Sequence, residues 1–591
     1  MNFKFNPLNT KYKSVTGGVQ EHSHIRFFVE SDLPVTMRIY SDNDYIDRLM
    51  KKTDGGFYLD FELNKGLYFY CFYCNNRIYG MGEDFNAEPD KNPWQLTVYP
   101  KNYHTPNWIK GGVIYQIFPD RFCKKGDFTV GKGKVKREDW GGMPTYRSID
   151  GKVRNNEFFG GNFAGIESKL DYIKGLGVTA VYLNPICESY SSHRYDTGDY
   201  LKPDPVLGTE QDFKNLTKSG EEKGISFIFD GVFNHTGAGS RYFNKYNDYD
   251  AIGAFNDKSS PYFDWYTFWE HPESYASWWG FKTLPTIKKD SKSFQKFVCE
   301  EVVNYWVDAG IKGIRLDVVD ELTDKFVYKL RKALKQRGED NFLIGEVWED
   351  ATNKVAYGIR RKYYTDGLLD SVMNYPLRSA IIDFVLHGKT KLLSDTVNTQ
   401  INNYPKEGLD TLMNVLSTHD SIRIVTLLGR RHTITDKDLM ANEKLDAWEY
   451  ARGVRREKMA SVLQFFLYGV PSIYYGDEEG LEGDLDPYNR RCFNWDGGDK
   501  DLYEHYVKLA KIRKSCVAFK DGVTKIILAE KGLFVFSRGE GKDKIIVAVN
   551  ASNHSKVIKL SKKCKDLYSL QIEKTFEIPS SNFVVLKGLN K

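Results

Sequence analysis

The stretch 310-GIKGIRLDVVDEL-322 decides how this chain is read. Ile314, Leu316 and Val318 alternate as on a strand with an apolar face, and Arg315 and Asp317 fall on the other face. Side chains at i and i+2 of a strand point the same way, so an arginine and an aspartate project together. Charged groups are taken out of water only when they are paired or used. The segment follows a helical pattern, KSFQKFVCEEVVNYWVDAG, and a second apolar strand, FLIGEVW (342–348), comes after it. Working outward, similar strands are expected at VIYQIF (113–118), VTAVYLNP (178–185) and ISFIFDGV (225–232), and then at LLDSVMNY (368–375), LMNVLSTHD (412–420) and PSIYYGD (471–477). Eight strand-then-helix units predict an α/β fold, a (β/α)8 barrel. Between the third and fourth strands lies a long insertion rich in aromatics, including SPYFDWYTFWEHPESYASWWG. Connections of that length are more often functional than passive, so it reads as an excursion domain, about 231–288, beside the barrel mouth.

The flanks are of another kind. Residues 1–105 contain short alternating segments (HIRFFVE, VTMRIYS, GFYLDFEL, GLYFYCFYC) parted by turns, which predicts an N-terminal β-sandwich. The barrel is expected over 106–510. KIILAEKGLFVFSR and KIIVAVNAS then mark a C-terminal β-sandwich over 511–591. With 41% hydrophobic and 28% charged residues the composition is that of a globular protein, and a formal net charge of +5 over 591 residues gives no reason to expect nucleic acid or a membrane surface as partner. The outlier is an aromatic content of 15%; flat rings are what sugar rings stack on, though they also fill cores. The N-terminal residues show no apolar targeting segment, and no apolar run reaches the roughly 20 residues of a membrane span. Cys71 and Cys74 form a C-x-x-C with no second pair nearby, read as structural thiols. Free thiols and the missing targeting signal together predict a cytoplasmic location.

In such a barrel the chemistry sits at the C-terminal ends of the strands. Those ends carry Asp230, Asn234 and His235 after the third, Arg315 and Asp317 at the fourth, Glu346 at the fifth, and His419 and Asp420 at the seventh. One such carboxylate reads most simply as a helix cap; three carboxylates, two histidines and an arginine on one rim read as a site. Retaining cleavage of a glycosidic bond needs two carboxyl groups, a nucleophile and an acid/base, about 5–5.5 Å apart. Asp317 is expected to be the nucleophile, its pKa lowered by Arg315, and Glu346 the acid, held protonated by its apolar flank. A divalent-metal site is the rival use of such carboxylates, and Arg315 among them argues against it.

These segments resemble the α-amylase family of glycoside hydrolases. DGVFNH, GIRLDVVDE, GEVWED and STHDSIR match its four signature segments in order, and DSVMNYPLR and GDLDPYNRRCFNWD add to the match over about 107–510. The resemblance is strongest to the neopullulanase, cyclomaltodextrinase and maltogenic amylase group, which also carries an N-terminal β-sandwich. It implies Asp317 as nucleophile, Glu346 as acid/base and Asp420 as transition-state stabiliser. Around the reacting sugar it implies His235, Arg315 and His419, with Tyr195 stacking on the ring and Asp486 and Arg490 binding the adjacent unit; Trp348 is expected to bind substrate as well. Implied substrates are cyclodextrins, maltooligosaccharides, pullulan and starch, opened at α-1,4 bonds and some α-1,6 bonds. A homodimer through the N-terminal domain is implied as well.

The sequence departs from the family pattern in places. LPTIK (284–288) stands where MPKLN is typical, and Glu349 where a histidine is common. After the first strand, where relatives carry a calcium loop, Cys123, Lys124, Lys125 and Asn162 are poor ligands, so no tightly bound metal and no required cofactor is expected there. Asn234 matches a ligand of a different family calcium site. Three alternatives stay open: a glucan transferase on the same scaffold, an open-cleft starch-degrading amylase or amylopullulanase, and a non-catalytic glucan-binding protein. The last is disfavoured because Asp317, Glu346 and Asp420 are all present.

Overall fold

A computed structural model describes residues 3–42, 44–148 and 150–589. At its centre eight strands pair in parallel in sequence order: β1 (Ile114–Ile117), β2 (Ala180–Leu183), β3 (Ser226–Gly231), β4 (Ile311–Leu316), β5 (Phe342–Gly345), β6 (Ser371–Val372), β7 (Met413–Val415) and β8 (Val470–Tyr474). β8 pairs back onto β1, and a bridge between Met373 and Met413 joins β6 to β7, so the sheet closes into the predicted barrel.

Strand parity explains both the core and the site. On one face, Ile114, Ala180, Tyr182, Ile228, Phe342, Ile344, Met413 and Val415 fill the barrel interior as one cluster. The residues between them, such as Val181, Phe227, Phe229, Ile314, Leu316 and Leu343, belong to the larger core shared with the helices. Extending the interior parity two residues toward each C-terminal end brings in Gln116, Asn184, Asp230, Arg315 and Glu346. The helices are placed by their own signals. Thr323 caps Asp324–Arg337, which buries Phe326, Val327, Leu330 and Leu334 on one stripe, and the Asp446 and Glu449 capping box starts Ala447–Phe466.

The fifth unit differs from expectation. After β5 no helix forms among the described residues; residues 346–370 make turns and a small hairpin, Val355–Ala356 with Ile359–Arg360. The N-terminal domain covers that place. Its Gln95 amide donates to Thr352 Oγ1 (2.7 Å) and accepts from Asn353 Nδ2 (2.7 Å), while Asp42 pairs with Arg360 and Lys65 with Asp366. This domain has a 4-stranded and a 7-stranded sheet around one core of Phe5, Phe27, Val29, Tyr70, Phe72 and Trp94. Cys71 and Cys74 are free and buried in it. The C-terminal residues form a 6-stranded antiparallel sheet. Phe534, Phe536 and Val585 of this sheet join the core of the barrel and its helices, whereas Val535, Ala548, Val584 and Leu586 make a core of their own. Among the described residues, no helix is long and apolar enough to cross a membrane.

Candidate active site

Arg315 is wholly buried at the end of β4, and three carboxylates converge on it. Nη1 lies 2.8 Å from Asp230 Oδ1 and 2.9 Å from Asp317 Oδ1, and Nη2 lies 2.8 Å from Glu346 Oε2. The first two contacts are aligned hydrogen bonds; the third is an ion pair set off the hydrogen-bond direction. The pairing of Arg315 with Asp317 foreseen from the strand alternation is present. The alternation itself stops earlier than expected, because β4 ends at Leu316. Val318 does not continue the strand: it turns to φ +37° and ψ +54°. For a β-branched residue this left-handed geometry costs about 1–2 kcal/mol. The turn aims the Val318 N–H at Glu346 Oε2 (2.9 Å), and Trp348 Nε1 donates to Oε1 (3.1 Å), so both carboxyl oxygens of Glu346 are held.

On the other wall a neutral hydrogen-bond chain runs from β1 to β3. Gln116 Nε2 donates to His419 Nδ1 (2.9 Å), which assigns the proton of neutral His419 to Nε2. That nitrogen lies 2.6 Å from Tyr195 Oη and 3.0 Å from Asp420 Oδ2. Tyr195 Oη also accepts from Asn184 Nδ2 (3.0 Å) and donates to Asp230 Oδ2 (2.9 Å), to which Tyr182 Oη donates as well (2.5 Å). Burial, with Arg490 nearby, pushes His419 well below the ordinary histidine range, so its contact with Asp420 is not a charge pair. Burial likewise brings His235 to about 4. Its Nε2 faces the Tyr195 carbonyl (3.1 Å), and its ring stacks on Trp278. Arg490 contacts Asp486 (2.8 Å), Asp420 (3.4 Å) and the His419 carbonyl (3.0 Å).

All ten sequence-predicted site residues gather at this mouth, at different depths. Asp420 keeps 35% of its side chain open to the cleft, and Trp348 is 48% exposed with its ring flat on Tyr375 (3.7 Å between centroids, 8°). Tyr195 lies parallel to His419. The sequence reading missed Gln116, Tyr182, Asn184 and Tyr375 as site residues; the first three stand on interior parity at strand ends, which is the signal that finds them.

One expectation is overturned. Arg315 does pull the Asp317 pKa down, but the net direction is up. Burial pushes this carboxyl well above the usual range, Glu346 and Asp230 add to the rise, and Arg315 only opposes it. Asp230 is raised by burial against the same arginine, and Asp420 by burial against Arg490. The physical reason is that one guanidinium is divided among three carboxylates in a desolvated place. Such a cluster retains a proton at pH values where separate carboxyl groups in water would all be ionised.

The loop after β1 spends its polar groups on structure. Asn162 Oδ1 accepts from Gly165 N (2.8 Å), capping the helix Phe163–Ser168, and its Nδ2 donates to the Lys125 carbonyl (2.8 Å). Cys123 and the cationic Lys124 and Lys125 do not suit a calcium ion either. Among the described residues, no group of three or more His, Cys, Asp or Glu side chains is placed to hold a metal.

The model of the alpha amylase catalytic domain matches residues 116–501. An amylopullulanase from Thermoanaerobacterium saccharolyticum is 34% identical over 79% of this chain, which spans 40% of that protein's length. A cyclomaltodextrinase from Thermoanaerobacter pseudethanolicus is 33% identical over 85% of this chain and 82% of its own. Among solved structures, the type III pullulan hydrolase from Thermococcus kodakarensis superposes with a TM-score of 0.71 at 25% identity, covering 99% of this chain and 100% of that one. With the catalytic-domain model matched across the barrel and its mouth, the chain belongs to the α-amylase family.

Proposed function

We propose that this protein is a retaining glycoside hydrolase that opens α-1,4-glucosidic bonds, and some α-1,6 bonds, in cyclodextrins, maltooligosaccharides, pullulan and starch. The observation that carries this reading is the common hold of Arg315 on Asp317 and Glu346, one through Nη1 and one through Nη2. Two carboxyl groups on one small planar cation are held close together, as the ~5–5.5 Å spacing of a retaining pair requires. Asp317 attacks the anomeric carbon to form a glycosyl-enzyme, and Glu346 protonates the leaving oxygen and then deprotonates the water that resolves it. The step requires the proton on the acid/base and an ionised nucleophile, and the cluster holds more carboxyl groups than Arg315 neutralises. Asp420, tied to His419 and Arg490, braces the sugar hydroxyls, and neutral His419 and His235 add hydrogen bonds without extra charge. The names of the similar cyclomaltodextrinase, amylopullulanase and pullulan hydrolase support the α-glucan class.

The test is the anomeric form of the first product from β-cyclodextrin or maltoheptaose, followed by NMR before mutarotation. Retention gives the α-anomer; an initial β-anomer would end the double-displacement reading. Initial rates on β-cyclodextrin and soluble starch at equal glucose content then decide substrate class. Faster cyclodextrin opening favours a narrowed cleft, and faster starch cleavage an open one. We also propose a homodimer through the N-terminal domain in the cytoplasm. Sedimentation as a monomer at working concentration contradicts the dimer.

A further inference from the structure

Glu346 depends on donors from two separate turns. Val318 N–H, in the turn after β4, holds Oε2 (2.9 Å), and Trp348 Nε1, in the turn after β5, holds Oε1 (3.1 Å). Neither turn is fixed by its own backbone alone. The first is one short turn, Val319–Glu321, entered through the left-handed Val318 and closed by Glu321 N donating to the Val318 carbonyl (2.8 Å). The second lies in residues 346–370, where no helix forms among the described residues, so no ladder of helical hydrogen bonds stiffens it.

A side chain from further along that segment joins the two. Lys354 leads into the hairpin of Val355–Ala356 with Ile359–Arg360, which is closed by Arg361 N donating to the Lys354 carbonyl (2.8 Å). Its ammonium lies 3.1 Å from Asp320 Oδ2 and also pairs with Glu349. Asp320 stands two residues after Val318, and Glu349 one residue after Trp348. Among the described residues Lys354 is the one side chain bonded to both carboxylates. The two halves of this bridge are unlike. Glu349 is 63% exposed, and a pair open to water holds little by itself. Lys354 and Asp320 keep only 14% and 22% of their side chains exposed, so water screens that half less. Asp320 is gripped further, since Tyr363 Oη donates to Oδ1 (2.7 Å) and Arg361 donates to its carbonyl. Asp320 is thus the fixed end of the bridge, and Glu349 the end that needs holding. Partial burial opposes the charge on Lys354, but its bonds to Glu349 and Asp320 outweigh that and raise its pKa, so the ammonium stays charged at neutral pH.

We propose that Lys354 is a positioning residue for the acid/base: by tying Asp320 to Glu349 it sets the two turns whose N–H groups hold Glu346, and so keeps that carboxyl in line with the leaving oxygen. This rests on the hydrolase reading above and adds to it what fixes the acid. Among the described residues no bond joins Lys354 to Glu346; the lysine acts through the two donors. A positioned general acid contributes about 10²–10⁴-fold to rate. A misplacement of about 1 Å can cost about 100-fold, so a loosened hold is visible in the rate.

The experiment compares wild type with Lys354→Met, Lys354→Arg and Asp320→Asn on two substrates that differ in the acid help they need. Cleaving maltoheptaose expels a sugar oxygen that must be protonated as the bond breaks, whereas α-maltosyl fluoride expels fluoride, which leaves with little need of a proton. The quantity read is kcat/KM, which reports formation of the glycosyl-enzyme and not its hydrolysis. Lys354→Met should lose about ten-fold on maltoheptaose, with KM little changed, and less than about two-fold on the fluoride. Lys354→Arg should restore most of the maltoheptaose rate, because it keeps a cation able to reach two carboxylates. Asp320→Asn keeps an acceptor for the Tyr363 hydroxyl but drops the charge; it should show the same bias more weakly, and it carries the test where Lys354→Met does not fold. Equal losses on the two substrates, as a merely structural lysine would give, overturn the positioning role, and so does no loss on either. Glu346→Gln separates that failure from failure of the reading beneath it. If Glu346→Gln loses far more on maltoheptaose than on the fluoride while Lys354→Met does not, only the bridge falls. If Glu346→Gln loses both equally, the acid/base assignment falls and the bridge with it.

Discussion

Replacing Arg315 by methionine removes, among the described residues, the one cationic side chain paired with Asp230, Asp317 and Glu346. Arg315 and Asp230 are fully buried, and the other two side chains are less than a tenth exposed, so solvent screens these pairs little. Breaking a buried ion pair by deleting one partner costs about 3–5 kcal/mol, because the other charge stays buried and alone. For a barrel of roughly 400 residues this is a fall of about 4–6 °C in melting temperature. The sign with pH follows from the carboxyl groups. In the variant the folded-state pKa values of Asp230 and Asp317, already raised by burial, rise further above the unfolded value near 4, so the folded state holds protons that the unfolded state has released. Its stability therefore falls as pH rises from the unfolded pKa toward the raised folded one. The deficit against wild type should be large at about pH 7.5 and distinctly smaller at about pH 5, where protonation relieves the cluster. Scanning fluorimetry of wild type, Arg315→Met and Arg315→Lys at both pH values reads this directly. Lysine keeps the charge but not the fork, and should fall between the other two. Equal deficits at the two pH values would refute the view that one guanidinium carries all three carboxylates.

Because burial holds Asp317 above the ordinary carboxylate range, and the nucleophile must be ionised, activity is lost as pH falls through that raised value. The acid limb of kcat/KM should lie distinctly above pH ~4 and belong to the coupled cluster, and a limb at or below ~4 would contradict it. Val318→Gly should relieve the left-handed strain, leaving stability unchanged or raised by about 1 kcal/mol once the freer unfolded chain is counted. The same change loosens the donor to Glu346, so kcat should fall several-fold; a fully active variant would show that this turn does not position the acid. Elemental analysis of purified protein should find no stoichiometric calcium bound at the first-strand loop, and chelator should leave its melting temperature in place; a stoichiometric ion lost together with stability would reverse that expectation.

Several of these features were legible in the chain before any fold was known, and the line between them and the rest is physical. Strand alternation has a period of two residues, so GIKGIRLD by itself places Arg315 and Asp317 on one side, and the same parity read at other strand ends finds Asp230 and Glu346. Eight such strands with amphipathic helices between them leave few ways to bury both faces, and a closed parallel sheet is one of them. Family signature segments then attached roles to the same positions. None of this local information fixes what happens between segments far apart in sequence. The direction of the Asp317 pKa depends on how completely its surroundings exclude water and on how many carboxylates share Arg315, which are contacts among β3, β4 and β5. The turn at Val318 is held by a partner 28 residues further along. The helix missing after β5 is replaced by a domain from the other end of the chain, through Gln95. The stack of His235 on Trp278 exists only because the excursion folds back over the mouth. Periodicity and motif are short-range properties that the sequence carries alone; desolvation, shared charge and stacking are properties of neighbours, and only the tertiary structure supplies those.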